Sequence, residues 1–128
     1  MLKNKPPEIC LAAVQQDGNA LMCVNNQTYE ICLAAVRQNG RALRYVDNQT
    51  YEICLEAVRQ DGTAVEFVEN QTDEICIAAI NNNIYAIKFV ENLTPVVCKE
   101  YLKLGGVFPD FIIDELGGEK FLEKLKEV

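Results

Sequence analysis

Cysteines are the most reactive side chains in this sequence, and five of the six recur at a spacing of 22 residues: Cys10, Cys32, Cys54, Cys76 and Cys98. In a small secreted protein, six cysteines would indicate three disulfides. Equivalent residues on stacked helices, however, lie about 8–10 Å apart, whereas the Cα atoms of a disulfide are roughly 4.4–6.8 Å apart. We therefore predict five reduced, buried, structural thiols. Cys23 is either a further core residue or an accessible thiol.

The same spacing argues against a metal site and against catalysis. Zinc requires four ligands that converge on one point, and a row of equivalent positions does not converge. The sequence also contains no His, which is the commonest general base. We expect no metal, no cofactor and no enzymatic activity. A catalytic constellation of Glu, Asp and Tyr is the weakest of the alternatives.

Four Asn-x-Thr sequons form a second recurring motif. Their Asn residues are Asn26, Asn48, Asn70 and Asn92, and their Thr residues are Thr28, Thr50, Thr72 and Thr94. In a secreted protein they would be glycosylation sites. Asn4 keeps the Asn in a place where Pro6 replaces the Thr, which favours a structural role. We predict that each Thr is a helix N-cap and that each Asn bonds the neighbouring turn.

Both motifs belong to one repeat that accounts for most of the chain. Units of 22 residues span 4–25, 26–47, 48–69, 70–91 and 92–113, and a tail spans 114–128. The second and third units agree at 15 of 22 positions. Because no insertion breaks the register, we predict a single domain over residues 1–128.

Each unit is predicted to be a helical hairpin. After the Thr cap, apolar residues recur on one face of a helix of about ten residues. The Asn39–Gly40 pair is expected to end the helix in a left-handed conformation, and Asn83 would need the same conformation where Ile84 replaces Gly. A second helix of six or seven residues follows and is expected to be partly 3₁₀. Neither helix buries its apolar stripe within one unit, so the units must stack.

The predicted fold is therefore all-α: an α-solenoid of five helical hairpins, each a longer helix plus a short helix, with a C-terminal capping helix. The tail supports the cap, because Phe121, Leu122 and Leu125 share one face of a final helix. No comparable cap precedes the first unit. Its apolar end is expected to be exposed or to form a homodimer.

Charge limits the partners. The net charge is −7, with +1 in residues 1–47 and −8 in residues 48–128. An acidic chain without a basic cluster is not expected to bind nucleic acid directly. No apolar stretch approaches the roughly 20 residues of a membrane span, and the N-terminus lacks the apolar segment of a secretory signal. We therefore expect a cytoplasmic protein, in the source or in a host cell.

Residues that vary between units are the candidates for partner binding. They lie off the predicted core face and should form stripes along the stack. Tyr and Arg are the types enriched where partners bind tightly. The candidates are Tyr29, Arg37, Arg41, Arg44, Tyr51, Arg59, Glu66, Tyr85 and Lys88. Neutral drift on a solvated surface is the alternative explanation.

The motif "EICLAAVRQNGRALRYV" followed by "NQTYEICL" resembles the repeats of domain of unknown function 4116. The resemblance covers the first four units well and the fifth poorly. It implies a helical repeat protein and no particular activity. Such repeats look like those of giant viruses and intracellular bacteria, which implies an effector-like interaction protein. The similarity of the second and third units also fits a designed consensus protein.

These observations together favour a protein–protein interaction module whose partner is another protein. One alternative is a small acidic inhibitor that occupies the basic groove of a nucleic-acid enzyme, with residues 48–128 supplying the charge. The other is a structural spacer, which would have no specific partner.

Overall fold

The computed structural model describes residues 2–128, and within them the secondary structure is helical, without strands. The α-helices are α1 (Pro7–Gln16), α2 (Tyr29–Gln38), α3 (Tyr51–Gln60), α4 (Asp73–Asn82), α5 (Pro95–Lys103), α6 (Asp110–Glu115) and α7 (Glu119–Glu127). Four 3₁₀ helices alternate with the first five α-helices, at Gly18–Cys23, Gly40–Tyr45, Gly62–Phe67 and Ile84–Phe89. The repeat thus folds as an α-helix followed by a 3₁₀ helix.

The α-helices begin where the repeated Thr residues stand. Thr28 Oγ1 accepts a hydrogen bond from the backbone N–H of Ile31 at 3.2 Å. Thr50, Thr72 and Thr94 accept the equivalent bonds at the starts of α3, α4 and α5. Each bond satisfies one of the backbone donors that have no partner in the first turn of a helix. Helix α1 begins with Pro7 instead, whose missing N–H costs nothing at that position.

Each 3₁₀ helix begins after a capping residue and is six residues long. The residue before each of them is Asp17, Asn39, Asp61 or Asn83, whose side-chain oxygen accepts a bond from the N–H two residues on. Six residues are too few for a stable isolated α-helix. Packing against the adjacent α-helices therefore holds this segment in its tighter form.

The predicted left-handed helix ends are wrong. Asn39 is extended, with φ −149° and ψ 108°, and Asn83 has nearly the same angles. Gly40 follows without a positive φ. The glycine is present because a Cβ at Gly40 would overlap the carbonyl oxygen of Ala57 in the next unit. The turn glycine therefore serves close packing between units rather than an unusual backbone angle.

The solenoid has two layers. Helices α1 to α5 lie side by side in one layer, and the 3₁₀ helices lie side by side in the other. Each of the first three 3₁₀ helices packs on its own α-helix and on the α-helix of the next unit. One continuous core results, which runs from Cys10 to Val97. The predicted α-solenoid is confirmed.

The fifth unit departs from the hairpin pattern. Pro109 stands at the start of α6, and the turn before α6 contains Gly105 with φ 93°. No 3₁₀ helix follows α5 within residues 104–128. Helix α7 folds back onto α5 instead, where Phe121 and Leu125 form a small second core with Cys98. The final helix thus covers the last repeat, as a cap does.

Candidate interaction surface

The nine predicted partner-binding residues do not form a single patch. Tyr29 and Tyr51 stand at the first positions of α2 and α3. Arg37 and Arg59 lie in the last turns of the same helices. The other five lie in the 3₁₀ layer: Arg41, Arg44, Glu66, Tyr85 and Lys88.

The 3₁₀ layer gathers aromatic rings and cations on one side of the solenoid. We call this surface the 3₁₀ face. It consists of Met22, Arg41, Arg44, Tyr45, Glu66, Phe67, Tyr85, Lys88 and Phe89. Met22 is 64% exposed and Tyr85 is 72% exposed. They lie three units apart, so they are separate exposed apolar groups at the two ends of this face.

Arg41 bridges two units on the 3₁₀ face. One of its Nη atoms donates to Thr63 Oγ1 at 3.0 Å, and the other lies 3.1 Å from the Glu66 carboxylate. The guanidinium also lies over the ring of Phe67, 4.7 Å from its centroid. Arg41 and Glu66 therefore contact each other rather than standing free, and they fix one another's positions.

Two further cations lie over rings on the same face. The Arg44 guanidinium is 4.7 Å from the centroid of Tyr45 and 5.9 Å from that of Phe67. Lys88 Nζ is 5.1 Å from the centroid of Phe89. Cation–π contacts hold both side chains in place while leaving them exposed.

A groove of about 390 Å³ opens between the first two 3₁₀ helices. Met22, Arg44, Tyr45 and Asp47 line it. The groove combines an apolar side chain, an aromatic ring and both signs of charge.

The residues predicted on the α-helices are separate from this face. The hydroxyl of Tyr51 donates a short hydrogen bond to Glu74, and this bond raises the pKa of Tyr51. Arg37 Nε lies 3.4 Å from Glu56 on the next helix. Tyr29 is 53% exposed, and Arg59 is also exposed. All four of these predicted residues belong to the layer of α-helices.

The hydrogen bonds expected of Asn26, Asn48 and Asn70 are made by the Gln that follows each of them, whereas Leu93 follows Asn92. Asn26, Asn48, Asn70 and Asn92 are exposed. Gln49 Nε2 donates to the Phe67 carbonyl at 2.8 Å, and its Oε1 accepts from the Glu69 N–H at 3.0 Å. Gln27 and Gln71 make equivalent pairs of bonds. Each Gln closes its own unit from start to end.

A second set of amides joins neighbouring units. Gln38 Oε1 accepts from the Gly18 N–H at 2.6 Å, Gln60 accepts from Gly40 at 2.6 Å and Asn82 accepts from Gly62 at 2.7 Å. Neither set of amides was predicted from the sequence. The available signal was the recurrence of Gln after three of the four sequon Asn residues, and of an amide at the end of the first four α-helices.

The repeated cysteines are buried free thiols. Cys32, Cys54 and Cys76 each donate to the Gln side-chain oxygen five residues earlier. Burial raises the pKa of Cys54, Cys76 and Cys98 to about 11, and it also raises the pKa of Cys32. These thiols are held in their neutral, unreactive form.

Cys23 is partly exposed, unlike the five repeated cysteines. It ends the first 3₁₀ helix, where later units have Tyr45, Phe67 and Phe89. Over residues 2–128, no group of three or more Cys, Asp or Glu side chains is placed to hold a metal ion. The five repeated cysteines are core residues, whereas Cys23 is not fully buried.

Comparison with known proteins assigns this repeat to a family. The family model described as domain of unknown function (DUF4116) matches twice, over residues 7–50 and 28–73. The chain belongs to this family. The two overlapping matches cover the first three units and reach the start of the fourth. No curated protein and no solved structure gives a significant match. Within residues 2–128, none of the helices of this DUF4116 protein is long and apolar enough to cross a membrane.

Proposed function

We propose that this DUF4116 protein is a non-enzymatic module that binds another protein through the 3₁₀ face. The observation that carries the proposal is the ordered row of cations and rings in the 3₁₀ layer. Tyr and Arg are the residue types most enriched at the energetic centres of interfaces. The row combines them with an exposed Met and an adjacent groove.

The cations on this face are positioned before any partner binds. Arg41 is fixed by Thr63, Glu66 and Phe67. Arg44 and Lys88 rest on rings. Immobilising a long side chain on binding costs roughly 0.5–1.5 kcal/mol. Because these cations are already ordered by stacking on rings, binding should cost them less entropy.

The chemistry of the face indicates the chemistry of the partner. Arg44 and Lys88 have their ring contacts on one side and solvent on the other, so they can pair with carboxylates. Tyr85 and Met22 add exposed apolar groups at two separate points along the stack. We expect a protein partner whose binding segment carries acidic groups beside an apolar or aromatic side chain.

An acidic inhibitor of a nucleic-acid enzyme is the second candidate. The net charge of −8 over residues 48–128 supports it, because such a surface would compete with a phosphate backbone for a basic groove. It makes a different prediction: nucleic acid and added salt would displace the partner strongly. A structural spacer would show no specific partner.

The test is affinity capture from lysate of the source cells or of their host, with the double variant Arg44→Glu/Tyr85→Ala. The matched control is Arg59→Glu/Tyr29→Ala, which makes the same two changes on the exposed side of the α layer. We expect the wild type and the control to capture a partner that the first variant loses.

Other outcomes separate the alternatives. A partner lost only by the control would place binding on the α layer and overturn the proposal. A partner displaced by competing DNA or RNA would favour the inhibitor. If the wild type and both variants capture the same background proteins, the spacer is favoured. Circular dichroism of both variants checks that the helices are intact.

A further inference from the structure

The first unit presents an apolar surface that is covered in every later unit. Ile9 is 49% exposed, whereas its equivalents Ile31, Ile53 and Ile75 are 2%, 1% and 2% exposed. Ala13 and Ala20 are also partly exposed, although the alanines at their positions in the next three units are fully buried. We call Ile9, Ala13, Gln16 and Ala20 the unit 1 face.

The polar groups of the unit 1 face also match an interface that recurs inside the solenoid. Gln38, at the end of α2, accepts the N–H of Gly18 from the preceding unit. The carbonyl of Ala35 lies against that glycine. Gln16 and Ala13 hold the same two positions in α1, and Gln16 is exposed.

We propose that the unit 1 face is a docking site for one further helical repeat of the same kind. The argument is continuity with the interfaces already present, because the junctions of units 1 and 2, 2 and 3, and 3 and 4 use one set of contacts. The docked repeat must end in a 3₁₀ helix that begins with glycine. That glycine would approach the Ala13 carbonyl and donate its N–H to Gln16.

A second copy of this chain does not fit this description. Its glycines at 18, 40 and 62 are already packed against the next units. Its fourth unit carries Ile84 in place of the glycine, and α7 covers α5. The structure therefore points to a repeat with an uncovered glycine-bearing end, rather than to a head-to-tail chain of identical molecules.

The experiment inserts a copy of residues 26–47 between Lys3 and Asn4. The insertion keeps the repeat register and every residue of the original chain. We expect the thermal midpoint to rise by about 5 °C, because an added unit stabilises its neighbour in a repeat protein. Amide hydrogen exchange in α1 should also slow, since Ile9 and Ala13 become buried.

The matched control carries Gly40→Val within the appended copy only. It should lose the rise in midpoint and leave α1 exchange as in the parent chain, because the added side chain blocks contact with Ala13. A second control, Ile9→Asp in the fusion, should have the same effect. The parent chain with Ile9→Asp should change little.

Three outcomes would overturn the proposal. The first is an unchanged α1 exchange rate in the fusion, and the second is a rise in midpoint that survives Gly40→Val. The third is a parent chain that sediments as a dimer and becomes monomeric with Ile9→Asp, because the face would then belong to a second copy.

Discussion

Three junctions between units contain a glycine, whereas the junction of units 4 and 5 does not. At the first three, Gly18, Gly40 and Gly62 lie against a carbonyl of the next α-helix. At the fourth, Ile84 stands in the glycine position and Tyr101 replaces the small residue opposite. The 3₁₀ helix of unit 4 packs on α4 and on the preceding 3₁₀ helix.

The difference shows how the repeat ends. At each tight junction, a glycine on one helix lies against the backbone carbonyl of an alanine on the other. Where both are replaced by larger residues, the 3₁₀ helix does not pack closely on the next α-helix, and unit 5 has no 3₁₀ helix of its own within residues 104–128. Helix α7 then supplies the apolar cover through Phe121 and Leu125. Two substitutions at one junction thus accompany the change from repeat to cap.

The largest expected effect is at a glycine junction. Gly40→Val should lower the free energy of unfolding by about 3 kcal/mol, because its side chain overlaps backbone of the next unit. Urea denaturation followed by circular dichroism measures the change. Ile84→Ala is the control at the fourth junction and should cost only about 1 kcal/mol, because Ile84 is half-buried. Equal losses at the two sites would remove the distinction between the junctions.

The next effect is a loss of stability at high pH. It concerns the buried thiols, which occur both in the regular repeats and under the C-terminal cap. Cys54 and Cys76 lie in the regular repeats and Cys98 lies under the cap, yet burial raises the pKa of all three from 9.0 to about 11. Between these values the unfolded chain releases protons that the folded chain retains. The contribution of these thiols to the free energy of unfolding should therefore be fully present below pH 9 and be lost as pH rises from 9 to 11.

Denaturation midpoints at pH 8, 9, 10 and 11 check this expectation. Cys54→Ala should make the decline shallower, because one of the shifted groups is removed. A decline that is unchanged in this variant would assign the pH dependence to other groups.

A smaller loss of stability is expected at Gln49, whose side chain bonds the end of its own unit and which we call a Gln clip. The neighbouring sequon Asn should contribute less. Gln49→Ala removes two hydrogen bonds that close unit 3 and should cost about 2 kcal/mol. The neighbouring change Asn48→Ala should cost less than about 0.5 kcal/mol, as exposed positions do. Unit 5 has Leu93 at the Gln position, so Leu93→Gln tests whether the clip can be extended toward the cap. If Asn48→Ala cost more than Gln49→Ala, the sequon Asn would regain the structural role.

The smallest effect concerns the 3₁₀ face. Arg41→Ala removes the contacts with Thr63, Glu66 and Phe67 and should cost about 0.5–1 kcal/mol, less in high salt. Arg59→Ala on the exposed side of α3 serves as the reference and should change stability little. Thermal melts at low and high ionic strength distinguish the two. A salt-independent loss at Arg41 would assign its role to packing alone.

Much of this fold could be predicted from local patterns. The Thr caps, the ten-residue helices and the apolar positions at helical spacing depend on neighbours in sequence, and the structure has them where predicted. The prediction of a left-handed glycine was wrong, and the local sequence could not have corrected it. Gly40 after Asn39 has the pattern of a helix end, and only the position of the Ala57 carbonyl shows why the side chain is absent.

The candidate site was predictable in part. Exposure of Tyr85, Lys88 and Arg44 follows from their place off the apolar stripe. Their grouping does not, because Tyr29 and Arg59 also lie off that stripe but belong to the other layer. The pairing of Arg41 with Glu66 depends on a separation of one unit plus three residues, which becomes a contact only when the units stack.

The sequence by itself determined the repeat, its helices and the small, apolar positions that face the stack, because these follow from periodicity and from local hydrogen bonding. Tertiary structure decided which neighbour each repeated residue meets. It gave the Gln residues their backbone partners, and it placed the glycines against the carbonyls of the next unit. It left Ile9 uncovered at one end while Phe121 covers the other. These outcomes depend on how adjacent units lie in space, and a distance between units cannot be read from the order of residues.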